Sequence, residues 1–193
     1  MAIFRVFFFL FFFLASGLAS TAYAQHIEQL FDEESTLDLS DSLYFLFETD
    51  YQLTISDVSR RRNDFLMHPH DNPNFGFRNN GMWLLTSVAN VSNEEDWVFT
   101  INFSQLDSVD FYLVKNGKVI KQSHQGKAQK EQRFRVPTFR IELSDSDAVD
   151  LYIRIESRSS SLIAPLRIQA EPIHSSYFQA DSMLWGLFYG GLL

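Results

Sequence analysis

Apolar side chains recur at every second position through most of the middle of the chain. This period is typical of β-strands that bury one face. The clearest alternating stretches are 97–103, 109–113 and 149–156, and further strands are predicted at 83–91, 139–143 and 162–168. Strands with one apolar and one polar face need a second sheet to cover the apolar side. The pattern therefore predicts an all-β fold, an antiparallel β-sandwich.

Turn residues separate these strands. Asn116-Gly117 suits a type I′ hairpin, because both positions accept positive φ, and it should join strand 108–114 to strand 118–123. Asn79-Asn80-Gly81 predicts a second turn just before Trp83. One segment, 56–65, departs from the period of two and is predicted as a short helix that starts at a capping Ser56.

The N-terminal residues 1–24 have the features of a signal peptide. Arg5 is followed by an apolar block at 6–14, and Ala22-Tyr23-Ala24 forms an A-x-A cleavage site. The alternative is an uncleaved anchor, but the apolar block is short for a bilayer span. Cleavage is predicted, with residues 25–39 as a lead-in and 40–178 as the β-sandwich domain.

The C-terminal segment 183–193 is uncharged and apolar. It is about half the length of a spanning helix, which needs about 20 apolar residues. Trp185 and Tyr189 are the aromatic types that favour a membrane interface. The segment is predicted to be the start of a transmembrane helix that the chain cuts short; the alternative is an apolar strand packed on the domain.

Composition excludes several functions. The net charge of −8 argues against a nucleic-acid partner, which needs a basic face. The absence of cysteine removes disulfides, zinc-thiolate sites and cysteine nucleophiles. No hydrolase, zinc-protease or phosphate-loop motif is present, so no cofactor and no enzymatic activity are predicted.

Two clusters could carry chemistry. His68-Pro69-His70-Asp71 contains metal-ligand types, but its prolines mark a loop, and no metal site is predicted. Asp107 and Asp110 are both carboxylates, yet positions three apart in a strand fall on opposite faces, so they make no acid–base pair across a cleft.

The candidate binding residues are aromatic or basic. Tyr112 and Tyr152 lie opposite the apolar stripes of their strands and should face outward, and Trp83 is a further aromatic candidate, although tryptophan in a sandwich is more often core. Arg133 could grip a carboxylate or hydroxyl with its planar fork, or it could tie a loop to the sheet.

Several short motifs occur in an order that resembles one known family. They include 43–46, 53–58, 74–77, 82–84, 106–113, 151–157 and 185–191, together with Arg133. Over residues 40–193 the sequence is similar to the type 2 extracellular domain of the seven-transmembrane receptors with diverse intracellular signalling modules. The resemblance implies a jelly-roll-like sandwich similar to carbohydrate-binding modules, seven membrane helices and a cytoplasmic output domain.

The sequence therefore predicts a non-catalytic, ligand-sensing receptor domain. It should be exported to the periplasmic face of a bacterial inner membrane and held there by its C-terminal segment, with the chain ending before any output domain. The expected ligand is a small molecule, a carbohydrate or a carboxylate, held by Arg133, Tyr112, Tyr152 and Trp83. The alternative is a structural or protein-interaction module with no small ligand.

Overall fold

The computed structural model describes residues 26–32, 36–49, 52–69, 72–127, 135–175 and 183, and these form a two-layer β-sandwich. Strands are numbered in chain order. Within the described residues, sheet A has seven strands: β1 (Ile27–Leu30), β3 (Tyr44–Phe47), β4 (Leu66–Met67), β5 (Met82–Asn90), β7 (Ser108–Lys115), β8 (Lys118–Gln125) and β10 (Ala148–Glu156). Sheet B has four: β2 (Leu37–Asp38), β6 (Asp96–Ile101), β9 (Thr138–Glu142) and β11 (Leu166–Ala170).

Nearly all strand pairs are antiparallel. Sheet A runs in the order β4-β3-β5-β10-β7-β8, and β1 pairs in parallel with the end of β5. Sheet B runs β2-β11-β6-β9. Residues 27–30 and 37–38 of the predicted lead-in thus contribute a strand to each sheet.

The main core lies between the two sheets. Phe111 of sheet A stacks on Phe139 of sheet B, with ring centroids 4.6 Å apart, and Phe99 lies beside both rings. These side chains occupy the apolar positions of the period-two pattern and are buried. The predicted all-β antiparallel sandwich is confirmed.

The outer face of sheet A carries a second, smaller core. Helix α1 (Ile55–Arg60) and a 3-10 turn (Arg62–Asp64) cover this face. The buried members of this outer core are Leu53, Val58, Phe65, Trp83, Leu85, Val114 and Tyr152. Sheet A is therefore buried on both faces along its central strands. The alternation of apolar and polar residues had indicated burial of one face only.

The predicted helix at 56–65 is confirmed in place and differs in detail. It begins at Ile55 and is capped by Thr54, not by Ser56. Thr54 and Asp57 form a reciprocal capping box, in which each side chain accepts a hydrogen bond from the other residue's backbone N–H. After Arg60 the regular helix gives way to the 3-10 turn.

The structure confirms one predicted turn and corrects one predicted strand. The Asn116-Gly117 hairpin is confirmed, with φ of 52° and 72° at the two positions. The strand predicted at 162–168 is wrong in its first half, because Ile163 makes only an isolated bridge to Asn74 and the strand begins at Leu166. Pro165 has no N–H to contribute to a ladder there.

No helix among the described residues is long and apolar enough to cross a membrane. The predicted signal peptide at 1–24 and all of the predicted membrane segment at 183–193 except Met183 lie outside the described residues. Both remain predictions.

Candidate ligand-binding cleft

A polar cleft of about 170 Å³ lies at one end of sheet A. Three segments meet there: the chain after β3, the turn before β5 and the end of β10. The lining residues are Glu48, Thr49, Gln52, Asn79, Asn80, Gly81, Arg154, Glu156, Ser157 and Arg158. Every side chain in this set is charged or hydrogen-bonding, apart from Gly81, which has none.

A buried ion pair forms the floor of the cleft. The Arg154 guanidinium donates from Nε to Glu48 Oε1 (2.8 Å) and from Nη2 to Glu48 Oε2 (2.7 Å), which is the bidentate fork geometry. Both side chains are almost fully buried, at 6% and 4% exposure. The pair joins the end of β3 to the central strand β10 across the sheet.

Glu48 is held by further donors. The Trp83 indole N–H donates to Glu48 Oε1 (3.0 Å), and the Leu53 backbone N–H donates to the same oxygen (3.1 Å). Together with the two bonds from Arg154, these donors hold the Glu48 carboxylate in one orientation under the cleft.

Arg154 has two more acidic neighbours. Its Nη2 also donates to Glu156, and its Nη1 lies 3.7 Å from Asp110 Oδ2. A 2.5 Å hydrogen bond joins Asp110 to His124 on β8. Burial alone would lower the pKa of Arg154, but the hydrogen bonds that it donates to Glu48 and Glu156 raise the pKa above its ordinary value, so the guanidinium is always charged.

Gly81 leaves room for the ion pair. A Cβ at this position would lie 2.6 Å from Glu48 Oε2 and 2.7 Å from Arg154 Nη2, inside van der Waals contact. The backbone of the turn can approach the floor only because the side chain is absent.

The rim has unused hydrogen-bonding groups. Arg158 is exposed and its guanidinium pairs with no carboxylate among the described residues, while its backbone N–H donates to Asp107 Oδ2 (2.6 Å). Glu156 is partly exposed on the same side. Among the described residues, the rim of the cleft thus carries an exposed cation and a partly exposed carboxylate.

The predicted site residues do not come together in this cleft. Trp83 is 1% exposed and packs in the outer core, so only its indole N–H reaches the cleft floor. Tyr152, predicted to face outward, is only 2% exposed, because α1 and the 3-10 turn cover the face that it points to. Tyr112 is partly exposed and stacks on Trp83 at 5.7 Å, and Arg133 lies outside the described residues.

Tyr152 belongs to a structural network. Arg62 makes a bidentate pair with Asp150 (2.5 and 2.8 Å) and donates to the Tyr152 hydroxyl (3.2 Å), and Ser87 donates to Asp150 (2.6 Å). Burial raises the pKa of Tyr152, and the nearby Arg62 opposes that rise. The network fixes the 3-10 turn to sheet A, so Tyr152 stabilises the fold.

Sequence reasoning missed Glu48, Gly81 and Arg154. Arg154 carried a usable signal, because a charged side chain within a strand needs either solvent or an oppositely charged partner. Its partner Glu48 is 106 residues away in sequence, and no local pattern joins the two.

The two other chemical clusters do not form sites in the described residues. His68 is buried against the rings of Phe45 and Phe75, while His70 and Asp71 lie outside the described residues. Asp107 accepts a backbone hydrogen bond from Arg158, and Asp110 is occupied by His124 and Arg154. The two aspartates do not face each other across a cleft.

The fold is thus a β-sandwich domain with a small, charged, polar cleft at one end of a sheet. A family model described as 7TMR-DISM extracellular 2 matches residues 25–170. The chain therefore belongs to this family, the type 2 extracellular domain of the seven-transmembrane receptors. Membership makes it a sensor-type domain of a membrane receptor, exported and located outside the cytoplasmic membrane, as predicted.

Other comparisons add little. No curated protein sequence matches this chain. Two solved structures of a beta-glucosidase from Kluyveromyces marxianus, one in complex with glucose and one selenomethionine-labelled, show 15% identity and TM-scores of 0.37 and 0.36. They cover 73% and 64% of this chain, which spans only 17% and 16% of theirs. A similarity at this level says nothing about function.

Proposed function

We propose that this domain is a non-catalytic ligand sensor, and that it binds a small polar molecule in the cleft above the Glu48–Arg154 pair. The observation that supports this most directly is the cleft itself, a concave surface whose fixed charges stand beside unpaired groups on the rim. Binding sites of this kind combine a preformed shape with a few oriented polar groups.

The lining favours a carbohydrate or a carboxylate. A hydroxyl group both donates and accepts, and the rim supplies acceptors from Glu156 and donors from Arg158, Asn79 and Gln52. A carboxylate would instead pair with the Arg158 guanidinium in a bidentate manner. The cleft has no aromatic side chain in its lining, so polar contacts would provide the specificity.

Sensing would act through the three segments that meet at the cleft. A ligand that contacts the chain after β3, the turn at Gly81 and the end of β10 favours the arrangement that holds all three together. Because a ligand shifts an equilibrium only by its differential affinity, this arrangement must differ from that of the empty receptor.

The first test is a thermal-shift and calorimetric screen of the full chain against sugars, carboxylates and amino acids. A ligand of the folded state must raise the unfolding midpoint in a saturable way. Arg158→Ala should weaken the binding of any hit at least about tenfold, since a charged hydrogen bond is worth about 1.5–3 kcal/mol. Arg60→Ala, an exposed arginine on α1, is the matched control and should bind normally. Equal binding by both variants would exclude the cleft as the site.

A second candidate is a protein-interaction module without a small ligand. The supporting observation is the edge strand β4, where Leu66 and Met67 are 62% and 55% exposed. Among the described residues, β4 has a neighbouring strand on one side only. A well-folded domain that shifts with no small molecule, and whose Leu66→Ser variant loses a partner bound by the unaltered chain, would favour this function.

A further inference from the structure

Positive charge is concentrated in one part of this acidic chain. All five lysines lie between residues 115 and 130. The segment 115–135 holds seven basic residues and one acidic residue, Glu131, which leaves nine basic against twenty-three acidic residues elsewhere. A charge asymmetry of this size directs how a molecule approaches a charged surface.

The β7–β8 hairpin displays part of this charge. Lys118 and Lys121 are exposed on β8, the edge strand of sheet A, in the half of the strand next to the hairpin turn. Neither pairs with a carboxylate among the described residues, whereas Lys115 on β7 forms a 2.6 Å ion pair with Asp147. These two lysines are available to an external anion, while Lys127 lies beyond the other end of β8, beside Leu106.

Aliphatic side chains lie between the lysines. Val119 and Ile120 are 43% and 53% exposed. The register of the hairpin slips at this point, because Leu113 pairs with Lys121 and Val114 pairs with Val119, so Ile120 has no partner on β7. An irregularity of this kind re-aims a side chain away from the sheet.

We propose that the β7–β8 hairpin rests on a bilayer that contains anionic phospholipid. Lysine ammonium groups are attracted to the lipid phosphates, while Val119 and Ile120 enter the interfacial layer. The acidic remainder of the chain is repelled by the same surface, which favours an orientation with this edge towards the lipid. Lysines on an edge strand also oppose pairing with a second copy of the chain, which disfavours that occupant.

The contact fixes an orientation. β7 begins at Ser108, opposite Glu156 at the cleft, and ends at Lys115 beside the hairpin turn. Seven steps along an antiparallel strand span about 24 Å. With the hairpin on the membrane, the cleft lies at the far end of the strand and opens away from the lipid.

A site-specific label tests the proposal in the full chain. The sequence has no cysteine, so Ile120→Cys provides a single attachment point for an environment-sensitive fluorophore. Arg167→Cys, exposed on sheet B, is the matched control position. The probes are vesicles of phosphatidylcholine alone and of equal parts phosphatidylcholine and phosphatidylglycerol.

The expected result is a blue shift of the label at residue 120 with the anionic vesicles only, and none at residue 167. The shift should disappear in about 1 M NaCl, where the Debye length is about 3 Å. Lys118→Gln with Lys121→Gln should raise the lipid concentration at half-shift about 25-fold, at roughly fivefold per charge. Arg60→Gln with Arg61→Gln, the same charge change at the C-terminal end of α1, should leave this lipid concentration unchanged.

Three results would overturn the proposal. These are a shift of equal size with neutral vesicles, a shift retained by the double lysine variant, and no shift with any vesicle. A label at residue 120 that responds instead to an added protein in the absence of lipid would assign the hairpin to a protein partner. Circular dichroism of each variant checks that it remains folded.

Discussion

At the scale of single residues, the cleft depends on a charge pair that must be buried. An ion pair in a protein interior is stable only when its geometry is good and its remaining hydrogen bonds are satisfied, because desolvation is costly. The donors from Trp83 and Leu53 meet that requirement for Glu48, and Glu156 and Asp110 meet it for Arg154. The result is a rigid, charged floor.

Removal of one partner should therefore be costly. Glu48→Ala leaves the Arg154 charge without its main partner and should lower the free energy of unfolding by about 3–5 kcal/mol. Glu156→Ala, at the exposed side of the same arginine, should cost about 1 kcal/mol or less. Urea denaturation measures both, and equal losses for the two variants would contradict the buried-pair explanation.

A methyl group at Gly81 should also destabilise the fold, because it would crowd the same ion pair. Gly81→Ala places a Cβ against Glu48 and Arg154 and should lower the free energy of unfolding by about 1–3 kcal/mol, as overpacking does. Asn79→Ala, in the same turn, is the control and should be near neutral. If the two variants were equally stable, the close approach would not be structurally required.

At the scale of elements, α1 and its 3-10 turn determine which face of sheet A is available. They cover Tyr152 and Trp83, two of the three aromatic residues that the sequence suggested as binding candidates. The capping box at Thr54 begins this helix, and Arg62 fixes its end to Asp150. A short helix has little stability of its own, so these two attachments hold it in place.

The capping box can be tested directly. Thr54→Ala should lower the free energy of unfolding by about 1 kcal/mol, and Thr54→Ser, which keeps the hydroxyl, should preserve most of it. Hydrogen bonds from Thr54 hold the pKa of Asp57 below its ordinary value of 3.8. The folded pKa is lowered, so this stabilisation is complete above pH 3.8 and is lost as the pH falls through the folded-state pKa. Urea titrations at neutral and acid pH should show Thr54→Ala losing less stability on acidification than the unaltered chain.

The same elements show how far the sequence could predict the structure. Alternation and turn chemistry are local signals, and they predicted the sandwich, the hairpin at Asn116-Gly117 and the position of α1. The residues near a strand do not indicate which distant segment covers its second face. Tyr152 has an outward position in its strand, yet it is buried by a segment some 90 residues earlier in the chain. The cleft was missed for the same reason, because Glu48 and Arg154 meet only in the folded sheet.

At the scale of the whole molecule, sheet A is organised around β5 and β10. β5 pairs with β1, β3 and β10, and β10 also pairs with β7. Both strands are buried along most of their length, whereas β8 is exposed along most of it. Stability should therefore decrease from the centre of the sheet towards its edges.

Hydrogen exchange measures this gradient. Backbone amides of β5 and β10 should exchange slowest, close to the rate set by global unfolding, while those of β8 that point away from β7 should exchange fastest among the strands. The inward-pointing amides of β8, bonded to β7, serve as the internal control. Uniform protection across sheet A would contradict the gradient.

The pairing of β5 also bears on how the chain reaches its folded state. Ile27 lies opposite Ser87, and Leu85 lies opposite Tyr152, so the middle of the sheet joins segments some sixty residues apart. Contacts between distant segments form slowly, because closing a long loop lowers the entropy of the chain before the contacts can stabilise it. The second edge of β5 has no partner until β10 is present, because β1 and β3 both pair with its first edge. Until then the apolar side chains of β5 and β6 have no complete core to enter, and the nascent chain in that interval is the form most exposed to proteases and most in need of a chaperone.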